Sequence, residues 1–170
     1  MEDSIELISN LMAISARTAP KSLGESYLKI TLLDKAEKEI LTEEMFQMSD
    51  ELNDDSYSYE GEIIREAAKV IIIGLEEHPP LDLDCRACGF KNCEDFSDNK
   101  IKGIFEGPNC AFHLIDMGMA VGGAIDTAQI HNIRSKISLK GGLAAKNVGI
   151  STSKVCIALM IDLSEEKDYL

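Results

Sequence analysis

The sequence predicts a mixed domain of the α+β or α/β class, with a central sheet of a few buried strands flanked by helices. Two observations carry this prediction. Segments whose apolar residues are spaced three and four apart alternate along the chain with short aliphatic runs. The run at 70–73 has four consecutive aliphatic residues, which is typical of an interior strand buried on both faces. A length of 170 residues suits one compact domain, so we assign residues 1–170 to a single domain.

The first half of the chain is predicted to contain three helices and two strands. The opening segment is an amphipathic helix that ends before Pro20, and Asp34 is placed to cap the second helix. In order, the predicted elements are a helix at 2–16, a strand at 27–33, a helix ending near 52, a polar acidic loop at 53–59, a helix at 62–68 and a strand at 70–74.

The second half begins with a stretch that contains few apolar residues, and it then returns to helices and a strand. A long helix at 111–131 is rich in Ala and Gly, so a neighbouring backbone or a flat ligand can approach it closely, and it could serve a homodimer interface. A short helix at 142–148 and an apolar strand at 154–163 follow, and the acidic tail at 164–170 is expected to be solvated.

Charge and the motifs that are missing exclude several classes of function. The chain has 17 Lys and Arg against 30 Asp and Glu, a formal net charge of −13, which argues against a nucleic-acid partner and an anionic membrane surface. No signal peptide or long apolar span is present, so we expect a cytoplasmic protein. Neither a phosphate-binding P-loop, a dinucleotide fingerprint nor a nucleophile elbow occurs. Of the three histidines, His113 follows Cys110 by three residues and could lie near a metal site, but a position on the helix surface is the commoner case and is the one expected.

Four of the five cysteines lie within 26 residues, in the stretch at 76–110. The spacing of Cys85, Cys88, Cys93 and Cys110 is C-x2-C-x4-C-x16-C. Two thiolates separated by two residues can bind one metal centre from a single turn. A [4Fe–4S] cluster needs four thiolates, commonly three local ones and one from farther along the chain. We therefore predict a cysteine module, inserted at 76–110, that binds one such cluster.

Zinc is the alternative metal for these four cysteines. Structural zinc is usually bound by two C-x2-C pairs, whereas the second half of this motif is a four-residue gap and a lone cysteine. Disulfides are not expected, because the chain has no export signal. The fifth cysteine, Cys156, lies among apolar residues of the last strand and is predicted to be a buried core residue.

The segment 85–110 resembles the small four-iron–four-sulfur domain of the corrinoid iron–sulfur protein and of electron-transport complex B subunits. That motif places a glycine after its second cysteine, and Gly89 matches it. Nearly the whole chain is similar to a mostly anaerobic family of uncharacterised ferredoxin-domain-containing proteins. The residues that carry this likeness are 16–21, 85–93, 107–112 and 116–120. The resemblance implies an iron–sulfur protein with the four cysteines as ligands.

The order of elements also resembles that of flavin-dependent nitroreductases, in which an opening helix, a loop, a strand and a late Gly/Ala-rich helix follow one another. This resemblance implies a nitroreductase-like fold and an FMN whose phosphate contacts Arg17, Thr18 and Lys21. The alternative is that Arg17 and Lys21 only close the first helix, where cations favour the negative end of the helix dipole.

Three functions from different classes follow. The first is electron transfer through one [4Fe–4S] cluster. The acidic surface of the chain would attract a redox partner protein that carries basic charges. The second is an FMN-dependent oxidoreductase in which the cluster feeds the flavin. The third is a non-catalytic protein in which zinc or a cluster only holds the module in shape.

Overall fold

The computed structural model describes residues 2–162 and contains an antiparallel four-stranded sheet with helices on both faces. The predicted central sheet flanked by helices is thus confirmed, in its α+β form. The elements are α1 (Glu2–Thr18), β1 (Leu28–Leu32), α2 (Lys35–Leu52), α3 (Asp55–Glu66), β2 (Lys69–Leu75), α4 (Cys93–Asp98), α5 (Ala111–Ile130), β3 (Arg134–Ser138), α6 (Leu139–Asn147) and β4 (Val155–Asp162). The strand order across the sheet is β1-β2-β4-β3.

The sheet separates two hydrophobic cores. Side chains alternate between the faces of a strand, so Ile71 and Ile73 of β2 pack with α1 and α5, whereas Val70 and Ile72 pack with α2, α3 and α6. Strand β4, the other central strand, divides its side chains in the same way. β2 is buried along nearly its whole length, which confirms the prediction of an interior strand.

The predicted loop at 53–59 is wrong, because α3 begins at Asp55. The Asp54 carboxylate caps this helix by accepting a hydrogen bond from the Ser56 N–H, and Tyr57 is buried in the first turn. Helix α6 likewise begins at Leu139 rather than at 142, with the Ser138 hydroxyl accepting from the Gly141 N–H. In both cases a side-chain cap stabilises a helix that begins earlier in the chain than predicted.

Strand β3 was not predicted at all. It pairs along its whole length with β4, yet its sequence, Arg-Ser-Lys-Ile-Ser, has one aliphatic residue. It lies at the edge of the sheet, where a strand needs few apolar side chains. The tail at 164–170 lies outside the described residues.

The chain from the end of β2 to the start of α5 contains the four cysteines of the predicted module. Its regular structure is α4 and an isolated bridge between Ile101 and Gly107. The exit from β2 is fixed to the sheet, since the Glu76 N–H donates to the Tyr27 carbonyl and the Lys154 N–H to the Leu75 carbonyl, both at 2.8 Å. Within residues 2–162, no helix is both long and apolar enough to cross a membrane.

Candidate metal centre

All four cysteines of the predicted motif line one small cavity. Cys85 and Cys88 lie in the loop before α4, Cys93 is the first residue of α4, and Cys110 is the residue before α5. The walls between them are largely apolar and include Pro80, Leu81, Leu83, Phe90 and Ala111. The four thiols are free, and they differ in exposure: Cys85 is exposed, Cys88 and Cys93 are half-buried, and Cys110 is buried.

The loop around Cys85 has an unusual backbone. Asp82, Asp84 and Arg86 have positive φ angles of 53°, 45° and 61°, while the residues between them do not. Turns in which left-handed residues alternate with residues of negative φ can form concavities of backbone N–H groups, which bind anions and iron–sulfur clusters. Gly89 has a φ of 87°, so the glycine after the second cysteine occupies a conformation that other residues rarely adopt.

Hydrogen bonds join the ends of this loop. The Cys93 N–H donates to the Asp84 carboxylate at 2.8 Å, and the Gly89 N–H donates to the Arg86 carbonyl at 2.9 Å, which closes the turn that contains Cys88. The Arg86 side chain donates to the Lys91 carbonyl at 3.0 Å. These contacts are local and exposed, so they shape the loop without tying it to the sheet.

Cys110 is held differently. It stands at the N-terminus of α5, a 20-residue helix, and no side-chain cap occupies the first helix amides. The positive end of the helix dipole favours a thiolate or an anionic cluster at this point. The backbone N–H of Cys110 donates to Nε2 of His78 at 3.1 Å, in a buried contact between residues 32 positions apart.

A buried polar cluster lies next to Cys110. The ring of His113 is 4.9 Å from the rings of both His78 and Tyr27, and the His113 Nδ1 is 3.4 Å from the Asp116 carboxylate. His113 is only 1% exposed, so the expected helix-surface position is wrong. Burial is the main reason why the pKa of His78 is lowered from its usual value.

The sequence reasoning missed Asp116. It is buried, and its carboxylate accepts hydrogen bonds from the N–H and the hydroxyl of Ser22, both at 2.9 Å. It thereby ties the loop after α1 to α5. The available signal was a single acidic residue within the apolar segment of this helix, because a buried carboxylate must be paired.

Arg17, Thr18 and Lys21 lie at the C-terminal end of α1 and in the loop that follows. The Lys21 ammonium group donates to the carbonyls of Ala16, Arg17 and Ala19 at 3.4, 3.3 and 2.6 Å. Burial lowers the pKa of Lys21, and the charge of Asp116 opposes this shift. The Thr18 hydroxyl donates to the Ile14 carbonyl. Lys21 thus closes the helix as the alternative interpretation has it, and phosphate binding by the three residues stays a prediction.

The geometry of the cavity bears on which metal centre fits. Zinc draws four sulfur atoms to about 2.3 Å from one point. In the part of the chain that the structure describes, no three Cys, His, Asp or Glu side chains are arranged to hold a single ion. A cube of four irons and four sulfides spreads its thiolate ligands around its corners. The four thiols that line the cavity are the ligands that either metal centre would use, and the choice of a cluster over zinc stays a prediction from the spacing of the cysteines.

The prediction for Cys156 is confirmed. This cysteine is fully buried in β4, on the opposite side of the sheet from α5, and its thiol donates to the Gly142 carbonyl at 2.9 Å. Burial raises the pKa of the Cys156 thiol. A buried neutral thiol is unreactive, and Cys156 serves packing rather than the cysteine module.

Sequence comparison relates the chain to a family and to one close relative. Residues 106–169 match the model of a family described as "Uncharacterized protein containing a ferredoxin domain (DUF2148)", a match that includes Cys110 and α5. An uncharacterized protein of Archaeoglobus fulgidus is 33% identical over 168 residues, which cover 98% of this chain and 91% of the relative.

Structural comparison relates the fold to nitroreductases. A nitroreductase with bound FMN from Desulfitobacterium hafniense DCB-2 has a TM-score of 0.62 and 12% identity, with 95% of this chain and 79% of that chain covered. The FMN-dependent nitroreductase NfnB from Mycobacterium smegmatis has a TM-score of 0.62 and 11% identity, with 94% and 78% covered. At this identity the likeness is one of fold, and the nitroreductase-like arrangement is confirmed.

Proposed function

Because the chain belongs to the family of uncharacterized proteins that contain a ferredoxin domain, we propose that it is a redox protein which carries one [4Fe–4S] cluster and transfers electrons. The observation that carries this proposal is that Cys85, Cys88, Cys93 and Cys110 line one cavity although sixteen residues separate Cys110 from the other three. When bound, such a cluster accepts and returns one electron at a time.

The residues of the chain would bind the cluster and tune it. The four cysteines would supply thiolates, and the amides of the loop at 82–88 and of the first turn of α5 would donate to its sulfur atoms. Pro80, Leu83 and Phe90 would exclude water from one side. The net charge of −13 favours a basic partner protein as the electron donor or acceptor.

The test is reconstitution of the protein under anaerobic conditions with iron and sulfide. We expect four irons and four sulfides per chain and a broad visible absorbance that dithionite bleaches. Cys93→Ser should abolish cluster loading, whereas the control Cys156→Ser, in the core, should load as the wild type does. A colourless protein with one zinc per chain, or full loading of Cys93→Ser, would overturn the proposal.

A second candidate is an FMN-dependent oxidoreductase in which the cluster feeds the flavin. The fold likeness to FMN-binding nitroreductases favours it. The contacts at the predicted phosphate site count against it, because the Lys21 ammonium group and the Thr18 hydroxyl already donate to backbone carbonyls at the end of α1 and in the loop after it. Binding of FMN that weakens at least about tenfold in Arg17→Ala would support this function. Protein that does not bind added FMN would rule it out.

We further propose that two copies form a homodimer through α1 and α5. These helices pack against each other, and each has an exposed apolar stripe, Leu7, Leu11 and Ile14 on α1 and Ile115 and Met119 on α5. Ile115→Glu should give a monomer in sedimentation analysis. The control Ile137→Glu alters an equally apolar, exposed residue on β3 and should leave the dimer intact; a monomeric wild type would contradict the proposal.

A further inference from the structure

The side chain of His78 joins the sheet to the last cysteine of the motif. Its Nε2 lies 3.1 Å from the backbone nitrogen of Cys110, and its Nδ1 lies 2.9 Å from the carbonyl oxygen of Glu76. A backbone N–H can only donate, so Nε2 must be the acceptor. The proton of the neutral ring is then on Nδ1, which donates to Glu76. One tautomer satisfies both contacts.

The sheet fixes the position of this ring. His78 follows β2 by three residues, and the Glu76 N–H donates to the carbonyl of Tyr27, the residue just before β1. The ring is 5% exposed, and it packs against the rings of Tyr27 and His113, at 6.2 and 4.9 Å between centroids. His78 therefore links the position of Cys110 to that of the sheet, in addition to the support that α5 gives it.

The same hydrogen bond occupies a group that a cluster would use. Backbone amides near a cluster donate to its sulfur atoms, and such bonds stabilise the more negative reduced form and raise the reduction potential. The amide of Cys110 is directed at a nitrogen of His78 instead. A bound cluster would therefore lack one hydrogen-bond donor, the amide of its buried ligand Cys110.

We propose that His78 is a positioning residue for Cys110 which also keeps the reduction potential of the cluster low by accepting the Cys110 amide hydrogen. The effect on the reduction potential rests on the proposed iron–sulfur function. The positioning of Cys110 does not require a cluster, so the two roles can be tested separately.

The first experiment uses the cluster-free protein and NMR spectroscopy. In the wild type, we expect His78 to be protonated on Nδ1, and we expect slow hydrogen exchange at the Cys110 amide. His78→Gln places an amide oxygen near the position of Nε2 and should retain slow exchange, whereas His78→Phe keeps a ring but lacks an acceptor and should exchange at least about tenfold faster. Protonation of His78 on Nε2 in the wild type, or equal exchange in all three proteins, would overturn the positioning role.

The second experiment uses the reconstituted protein, with iron content and midpoint potential as readouts. We expect four irons in the wild type and both variants, a potential in His78→Gln close to that of the wild type, and a more positive potential in His78→Phe. A residue that only supports the fold would change iron content or stability without this order of potentials. Equal potentials would overturn the effect on potential and leave the proposed function standing. A wild type that binds no cluster would overturn the proposed function itself, while the exchange measurement still decides the positioning role.

Discussion

The four cysteines fall into two groups that the protein holds in different ways. Cys110 is buried, begins a long helix that packs on the sheet, and has its amide bonded to a buried histidine. Cys85, Cys88 and Cys93 lie in an exposed or half-buried loop whose hydrogen bonds are local. One cysteine of the predicted motif is thus positioned by the fold, and the other three by a short segment of chain.

This difference indicates how the site would form. The sheet and α5 place Cys110 before any metal is bound, whereas ordering of the loop would draw on the free energy of metal binding, since a site that is not fully preformed couples binding to folding. The core that supports Cys110 and the loop that carries the other three cysteines should therefore respond differently to substitution and to cluster loading.

The largest effect is expected at Gly142, in the core beside β4. A Cβ at this position would overlap the backbone of Cys156 and Ile157, which has no room to move because it belongs to a central strand. Gly142→Ala should lower the free energy of unfolding of the cluster-free protein by about 3 kcal/mol. Urea unfolding measures this loss, and a variant as stable as the wild type would mean that the core is less tightly packed than described.

Asp116→Asn should have the next largest effect, because it weakens two hydrogen bonds to a buried carboxylate that join Ser22 to α5. We expect a loss of about 2 kcal/mol in the free energy of unfolding. The matched control is Asp126→Asn on the exposed side of the same helix, which should change it by less than about 0.5 kcal/mol. Equal losses in the two variants would show that Asp116 does not support the helix that carries Cys110.

Cluster loading should protect the cysteine loop more than the core. Trypsin can cut after Arg86 and Lys91, which lie between the local cysteines. Cleavage there should be at least about tenfold slower in the reconstituted protein, equivalent to about 1.4 kcal/mol of local stability. Mass spectrometry of the first fragments measures the effect. Equal rates with and without the cluster would mean that the loop is already fixed in the cluster-free protein.

The smallest effect on global stability is expected at Gly89. An alanine there meets no atom within 4 Å, but the φ of 87° disfavours it, so the loop should shift locally. Gly89→Ala should change the free energy of unfolding by less than about 0.5 kcal/mol while reducing cluster occupancy. Gly24→Ala, with a φ of 76° and equally open surroundings, is the control and should load normally. Equal loading of both variants would remove the role assigned to Gly89.

The features that could be predicted from the sequence are those set by residues close together in the chain. The aliphatic run at 70–73 was identified as an interior strand, and the spacing of Cys85, Cys88, Cys93 and Cys110 identified four residues that line one cavity. A buried strand and a local loop motif both appear as patterns over a few residues.

The contacts that complete the site could not be predicted in this way. His78 meets Cys110 across 32 positions, and Asp116 meets Ser22 across 94, so neither pair has a local pattern. The isolated signals were a histidine after a strand and an acidic residue in an apolar helix. The partners of His78 and Asp116 are set by the packing of α5 against the sheet and α1, which is a property of the folded chain.

Strand β3 was not predicted because its sequence is polar. The same polar residues affect how molecules of the protein associate in concentrated solution. An edge strand exposes unpaired backbone groups to which another sheet can bind. Here one edge, β3, carries Arg134 and Lys136, and the other edge, β1, carries the exposed Lys29. Charged side chains on both edges oppose the joining of sheets from different molecules, and so protect the protein from aggregation through its strands.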